Sequence, residues 1–299
     1  MKKKVVGLGE VLWDVLPERT CLGGAPANFA YITTLMGDRG VVASRVGEDS
    51  RGVEALRRME ELGLDIEHVQ TDREHPTGTV NVKVDSRGLA KYEIAHRVAW
   101  DFLEWTLDWQ RLAEKADAVC FGSLAQRTEQ SRASIRRFLG ATSPATVKVF
   151  DVNLRQSYYS QEVLADSMRL ADIVKLNDEE LPKIMRMGNF THKDELSSGQ
   201  RLISAYDLKL VCITRGGRGS LLVRADGSNE HPGFSVHVAD TVGSGDAFTA
   251  GLVHEYLQGA SLELMNEVAN LMGAWVASEV GAMPTPKRGA LEYSLAEIR

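Results

Sequence analysis

A chain of 299 residues with 43% hydrophobic and 25% charged side chains can bury a sizeable core, as one large α/β domain or two small ones. Its formal net charge of -6 argues against a dedicated nucleic-acid binder, and no apolar run approaches the length that spans a bilayer. Three widely spaced cysteines, Cys21, Cys120 and Cys212, make no disulfide framework and fit a reducing cytoplasm, while the seven histidines form no pattern typical of structural zinc.

The basic opening, Met1-Lys2-Lys3-Lys4, lacks a long apolar segment behind it and reads as the lead into a strand over 5–8. A second β run follows over 11–16. The pair Gly7 and Gly9 falls short of a dinucleotide fingerprint, because Leu12 stands where the third glycine belongs and no helix follows. No Walker A sequence occurs. Gly23-Gly24-Ala25-Pro26-Ala27-Asn28 then opens an apolar helical pattern that stops at Gly37, with Pro26 favourably placed near its start. Residues 41–46 are an expected strand, and 47–52 lead into a helix through 62. Residues 77–96 alternate in strand fashion, with Asp85-Ser86-Arg87-Gly88 as the hairpin turn. The β segments near 11–22 and 77–97 are not interleaved with helices, and are expected to form a small sheet standing off the main body.

From there the pattern settles into βα alternation. Strands are expected at 118–121, 147–152, 173–176 and 210–214, with helices near 129–139, 161–170 and 194–206. Such alternation predicts a parallel sheet with helices on both faces, its active site at the carboxyl ends of the strands. Ser123, Asp151, Asn153, Arg155, Asn177, Glu180, Thr214 and Arg215 fall at those ends. The last helices, 262–280 and 291–299, bracket a loop at 281–286.

The most informative stretch is Asp240-Thr241-Val242-Gly243-Ser244-Gly245-Asp246-Ala247-Phe248-Thr249-Ala250-Gly251. A small-residue turn opening a helix presents unpaired amides backed by the positive end of the helix dipole, which is a seat for an anion. Asp246 places an acid beside that seat, as a base for an attacking hydroxyl requires. Three other patterns have bland readings of their own. Asn177 to Glu180 is a capping box, Thr214-Arg215-Gly216-Gly217-Arg218-Gly219 a hairpin turn, and Arg155 half of a surface ion pair.

The 240–251 stretch resembles the C-terminal signature of the PfkB, or ribokinase-like, family of sugar and nucleoside kinases. That resemblance implies an α/β ribokinase-like fold, a single domain over 1–299 with a central, mostly parallel sheet and a small β lid. It implies that Gly243, Ser244 and Gly245 form an anion hole for the transferring phosphoryl group and that Asp246 is the catalytic base. The 23–28 stretch resembles the family's N-terminal signature, in which Gly23, Gly24 and Asn28 would hold sugar hydroxyls. The Asn177-x-x-Glu180 segment resembles the motif that orders magnesium and its waters, with Glu180 reaching the metal through water. Thr214, Gly216 and Gly219 match the nucleotide loop, and Asn270 is a candidate for the adenine side. Asp240, with the 281–285 loop, resembles the monovalent-cation site of ribokinases, a site for potassium.

Asp151-x-Asn153-x-Arg155 and the opening over 9–14 look like the fructokinase branch. Arg155 would neutralise charge on the transferring group, and Asp14 would accept hydrogen bonds from a vicinal diol. Arg97 and Asp101 also match that branch, but Trp100 is bulky beside them, which leaves the sugar open. The expected activity is ATP-dependent phosphorylation of a primary hydroxyl, of fructose first, with a ribokinase or 2-keto-3-deoxygluconate kinase as alternatives. A non-catalytic sugar-binding regulator is a further alternative, which the intact 243–246 motif disfavours. A small sugar and ATP are the expected partners, without nucleic acid or membrane, with a homodimer through the lid as an open question and the cytoplasm as the expected location.

Overall fold

Apolar side chains on both faces of a strand demand cover on both sides, and β1 (Lys4–Leu8) has Val5, Val6 and Leu8 all buried. The computed structural model describes residues 2–16, 18–84 and 90–286 and divides into two compact units, Met1–Thr146 and Val147–Arg299. In the first unit, β1 lies between β4 (Arg39–Gly47) and β8 (Ala118–Gly122), parallel to both, and β4 carries β5 (Val69–Asp72) on its other side. The helices of this unit are α1 (Ala25–Leu35), α2 (Ser50–Glu61), α3 (Leu107–Glu114) and α4 (Glu129–Gly140). Trp109 of α3 meets Phe138 of α4 edge-on at 5.7 Å, and its indole N–H donates to the His68 carbonyl.

A separate four-stranded sheet is built from β2 (Leu12–Val15), β3 (Thr20–Gly23), β6 (Gly78–Val84) and β7 (Ala90–Ile94), in the order β3-β2-β6-β7. It is the expected small sheet. The β2–β6 pairing is parallel and the other two are antiparallel. The turn expected at 85–88 lies outside the described residues. Where the chain enters β6 it is held by Asp49, the N-cap of α2. The Asp49 carboxylate accepts hydrogen bonds from the amides of Gly52 and Thr77 and from the Thr77 hydroxyl, all within 2.8 Å. Burial alone would raise the Asp49 pKa, but these bonds, the Thr77 amide first, hold it below the usual carboxylate range.

In the second unit β9 (Val147–Asp151), β10 (Ile173–Asn177) and β11 (Leu210–Thr214) are parallel neighbours, and β12 (Ser220–Arg224) and β13 (Gly227–His231) extend the sheet antiparallel. Helices α5 (Gln161–Leu170), α6 (Leu181–Met187) and α7 (Glu195–Tyr206) connect these strands, and α8 (Ser244–Leu257) and α9 (Leu262–Ala277) close the unit. The helix expected at 291–299 lies outside the described residues. Cys120 and Cys212 are buried in β8 and β11. Among the described residues no helix is long and apolar enough to cross a membrane.

Candidate active site

The expected site residues 243–246 open α8. Asp194 caps α7 and Ser160 caps α5 through their side chains, but the N-cap of α8 is Gly243, which has no side chain to offer. Gly243 is in the left-handed region at φ 79°, and a Cβ there would lie 2.5 Å from the Cβ of Ala282. The 281–286 loop thus backs the turn directly. Asp240 ties the two together, accepting the Val242 amide at 3.1 Å and the Gly281 amide at 3.3 Å. Ser244 donates its hydroxyl to the Thr241 carbonyl at 2.9 Å. The helix dipole is left facing outward, with Asp246 half-buried in its first turn. Gly243, Ser244, Gly245 and Asp246 are therefore gathered at one helix start that no side chain caps, with an acid in its first turn.

Beneath this turn lies a group that sequence reasoning missed. Lys175, in the middle of β10, is buried, with its ammonium 3.1 Å from each carboxylate oxygen of Asp151. Burial would lower the lysine pKa, but the charges of Asp151, then Glu180 and Asp246, outweigh it and hold the group above its usual range. The same burial pushes the thiol of Cys212, its register neighbour on β11, well up. The one available signal was a charged residue inside the apolar run Ile173-Val174-Lys175-Leu176.

The Asn177–Glu180 segment is a reciprocal capping box. Asn177 Oδ1 accepts the amides of Glu179 and Glu180 at 3.0 and 2.8 Å, and Glu180 Oε2 accepts the Asn177 amide at 2.9 Å. It closes the turn before α6, not the first turn of α6 itself, which starts at Leu181. Glu180 Oε1 also takes the Leu154 amide at 2.7 Å, so the loop after β9 is anchored to the same carboxylate. Thr214 ends β11, and Gly216 opens and Gly219 closes the short 3-10 turn into β12, both with positive φ.

In the first unit, Asp14 on β2 and Gly23 on β3 come together. A Cβ on Gly23 would lie 2.8 Å from Asp14 Oδ2, so the carboxylate rests over the glycine. Gly24 is the N-cap of α1, and Asn28, in its first turn, is buried. Arg97 is exposed in left-handed backbone at φ 53°. Asp101 is engaged elsewhere: Arg127 donates to its two oxygens at 2.6 and 2.7 Å and lies 4.0 Å over the Trp100 ring.

The sequence profile described as "pfkB family carbohydrate kinase" matches residues 18–288. The chain belongs to this family. Its relatives include an Escherichia coli fructokinase, 30% identical over 85% of this chain and 84% of the other. An ATP-dependent ribose-1-phosphate kinase of Halopiger xanaduensis is also 30% identical, over 98% of each. The structure of a Vibrio cholerae fructokinase with fructose, ADP and calcium superposes with a TM-score of 0.81 at 25% identity, over 99% of each chain. The fold is the α/β ribokinase-like fold with its small β lid, and the protein is a pfkB carbohydrate kinase.

Two expected positions in this pfkB kinase differ in the structure. Asn270 lies in the seam between α9 and the sheet, with its amide nitrogen given to Ser220 Oγ at 2.8 Å and to Asn266. That polar network also takes in half-buried Asn229 of β13, which makes Asn270 a tie between helix and strands and commits its amide nitrogen away from an adenine. Arg155 is exposed, and its guanidinium bonds to the neighbouring Leu154 carbonyl at 3.3 Å. Strand β9 ends at Asp151, four residues earlier, so strand geometry does not aim that side chain.

Proposed function

We propose that this carbohydrate kinase transfers the γ-phosphoryl group of ATP to a primary hydroxyl of fructose. The observation that carries the reading is the α8 turn, an uncapped helix start with Asp246 in its first turn. In-line attack by the sugar hydroxyl spreads charge over the phosphoryl oxygens, which the amides of Gly243, Gly245 and Asp246 and the helix dipole stabilise. Asp246 orients the hydroxyl and takes its proton. Thr214, Gly216 and Gly219 are the nucleotide-side residues. Asp14, Gly23, Gly24, Asn28 and Arg97 are the sugar-side residues, Asp14 as the acceptor for paired hydroxyls. An exposed arginine held by one long bond is recruited at little cost when an anion arrives, and that is the role assigned to Arg155.

Magnesium fits the donor set. It keeps most of its waters and needs few carboxylates, and Glu180 offers one, oriented by two amides that occupy one lone pair on each oxygen. When bound, the ion supplies charge neutralisation at the phosphate oxygens. Potassium beside Asp240 belongs to the same proposal, adding to the tie between the turn and the 281 loop, and no step depends on it.

Support for fructose comes from the fructokinase relatives and from the Asp151-x-Asn153-x-Arg155 pattern. A pentose substrate is the second reading, favoured by the equal identity to the ribose-1-phosphate kinase over more of the chain. A coupled ATP-consumption assay over a panel of ketohexoses, pentoses, pentose phosphates and keto-deoxy acids separates them. Turnover of a pentose derivative with none of fructose overturns the first reading. Asp246→Asn is expected to lower kcat by roughly 10²–10⁴-fold with ATP binding retained. A variant within a few-fold of wild type puts the base elsewhere.

A further inference from the structure

The cluster under the α8 turn is costly for a structural device. Lys175 and Asp151 are both buried, and a buried ion pair is often no more stable than the apolar pair that could replace it. The geometry ties this pair to the turn at two points. A Cβ on Gly245 would stand 3.0 Å from the Lys175 ammonium, and Gly245 lacks the left-handed φ of Gly243. A side chain at 245 would therefore press on the lysine beneath it, whereas 243 needs glycine for its backbone conformation and for Ala282. The second tie runs through Thr249, whose hydroxyl lies 3.0 Å from Asp151 Oδ2 and 2.9 Å from the Gly245 carbonyl. Lys175, Asp151, Thr249 and Gly245 thus form one chain of polar contacts ending on the residue before Asp246.

We propose that Lys175 is the positioning residue of the phosphoryl-transfer turn: its ammonium, pinned by Asp151, props Gly245 from below and sets a fixed positive charge behind the anion seat. The inference rests on the kinase reading and deepens it. A preorganised charge that does not move during reaction stabilises charge developing on the transferring group more than it stabilises the bound ground state. Its removal should fall on kcat and leave KM for sugar and ATP little changed.

The test compares Lys175→Met, the apolar pair Lys175→Met/Asp151→Leu, and Thr249→Val. The single lysine variant strands a buried carboxylate and is expected to melt early. The double variant removes both charges together and should regain much of the lost stability, yet its kcat should stay down by about 10²-fold, the loss that follows removal of one preorganised donor, with KM values within a few-fold of wild type. Thr249→Val keeps the side-chain shape, cuts the second tie, and should lower kcat by roughly tenfold with no change in KM. Recovery of kcat together with stability in the double variant, or wild-type kcat in Thr249→Val, overturns the proposal. Asp246→Asn is measured alongside. If it retains turnover, the base assignment fails; if it is inactive while the double variant is fully active, only the clamp fails.

Discussion

The carboxylate of Asp14 rests over Gly23, close enough that a Cβ there would come within 2.8 Å of Oδ2. The two residues sit on adjacent antiparallel strands of the small sheet, Asp14 opposite Cys21 and Gly23 opposite Leu12. Gly23 has no positive φ, so alanine suits its backbone and conflicts only with the carboxylate. If Asp14 holds sugar hydroxyls, Gly23→Ala should raise the sugar KM by about tenfold, equivalent to about 1.4 kcal/mol, while KM for ATP and the melting temperature hold. Steady-state kinetics with each substrate varied decides it. An unchanged sugar KM removes Asp14 from the sugar side.

The capping role of Glu180 and its proposed magnesium role can be separated by one substitution. Glutamine keeps its size but presents an NH2 group to one of the two amides, Asn177 or Leu154, that the carboxylate now satisfies. An unpaired buried amide costs about 1–3 kcal/mol, so Glu180→Gln should lower Tm by several degrees with or without magnesium. If the carboxylate also orders the metal's waters, the magnesium concentration for half-maximal rate should rise several-fold. A lower Tm with an unaltered magnesium dependence leaves Glu180 as a cap alone.

Acid should loosen the anchor of the small sheet. The Asp49 pKa is held below its ordinary value near 3.8 by Thr77 and Gly52, against the opposing effect of burial. A depressed carboxylate stabilises the fold above its unfolded pKa, and the contribution fades as pH falls through that value toward the folded one. Asp72, another first-unit carboxylate held low, by the amides of Glu74 and His75 against burial, acts in the same direction. Thermal melts of Asp49→Asn should lie below wild type at pH 7, and the gap should narrow below about pH 4. A gap of constant size from pH 7 to pH 3 rules out the carboxylate as the pH-sensitive anchor.

What was legible in the sequence was local. The 243–246 turn is written in adjacent small residues before a helical pattern, and strands β1, β4, β8, β9, β10 and β11 in short apolar runs, while β12 and β13 were not among the expected strands. Strand β5 escaped because Val69-Gln70-Thr71-Asp72 holds no apolar run and takes its register from β4 alone. Helix α3 escaped because only Trp109, Leu112 and Ala113 of its eight residues are buried. Lys175 could be noticed as a charge in an apolar strand, but its partner Asp151 is 24 residues away on the next strand, so its meaning is tertiary. Arg155 was read as continuing a strand end, whereas Asn153 and Gln156 adopt left-handed conformations on either side of it and break the alternation.

Asn270 offers the cleanest separation of packing from binding. Its amide nitrogen serves Ser220 and Asn266, both buried, and Asn266 in turn donates to half-buried Asn229, so the network joins α9 to β12 and β13. Asn270→Ala should remove the hydrogen bonds its amide nitrogen gives to Ser220 and Asn266, which keep each other as partners, at about 1–3 kcal/mol in all. For a chain of this size that is a fall of roughly 3–10 °C in Tm. An adenine contact would act differently, raising KM for ATP by tenfold or more with little change in stability. The expected result is the first: an early melt with KM for ATP within twofold of wild type. A stable variant with a much weakened ATP KM would return Asn270 to the nucleotide.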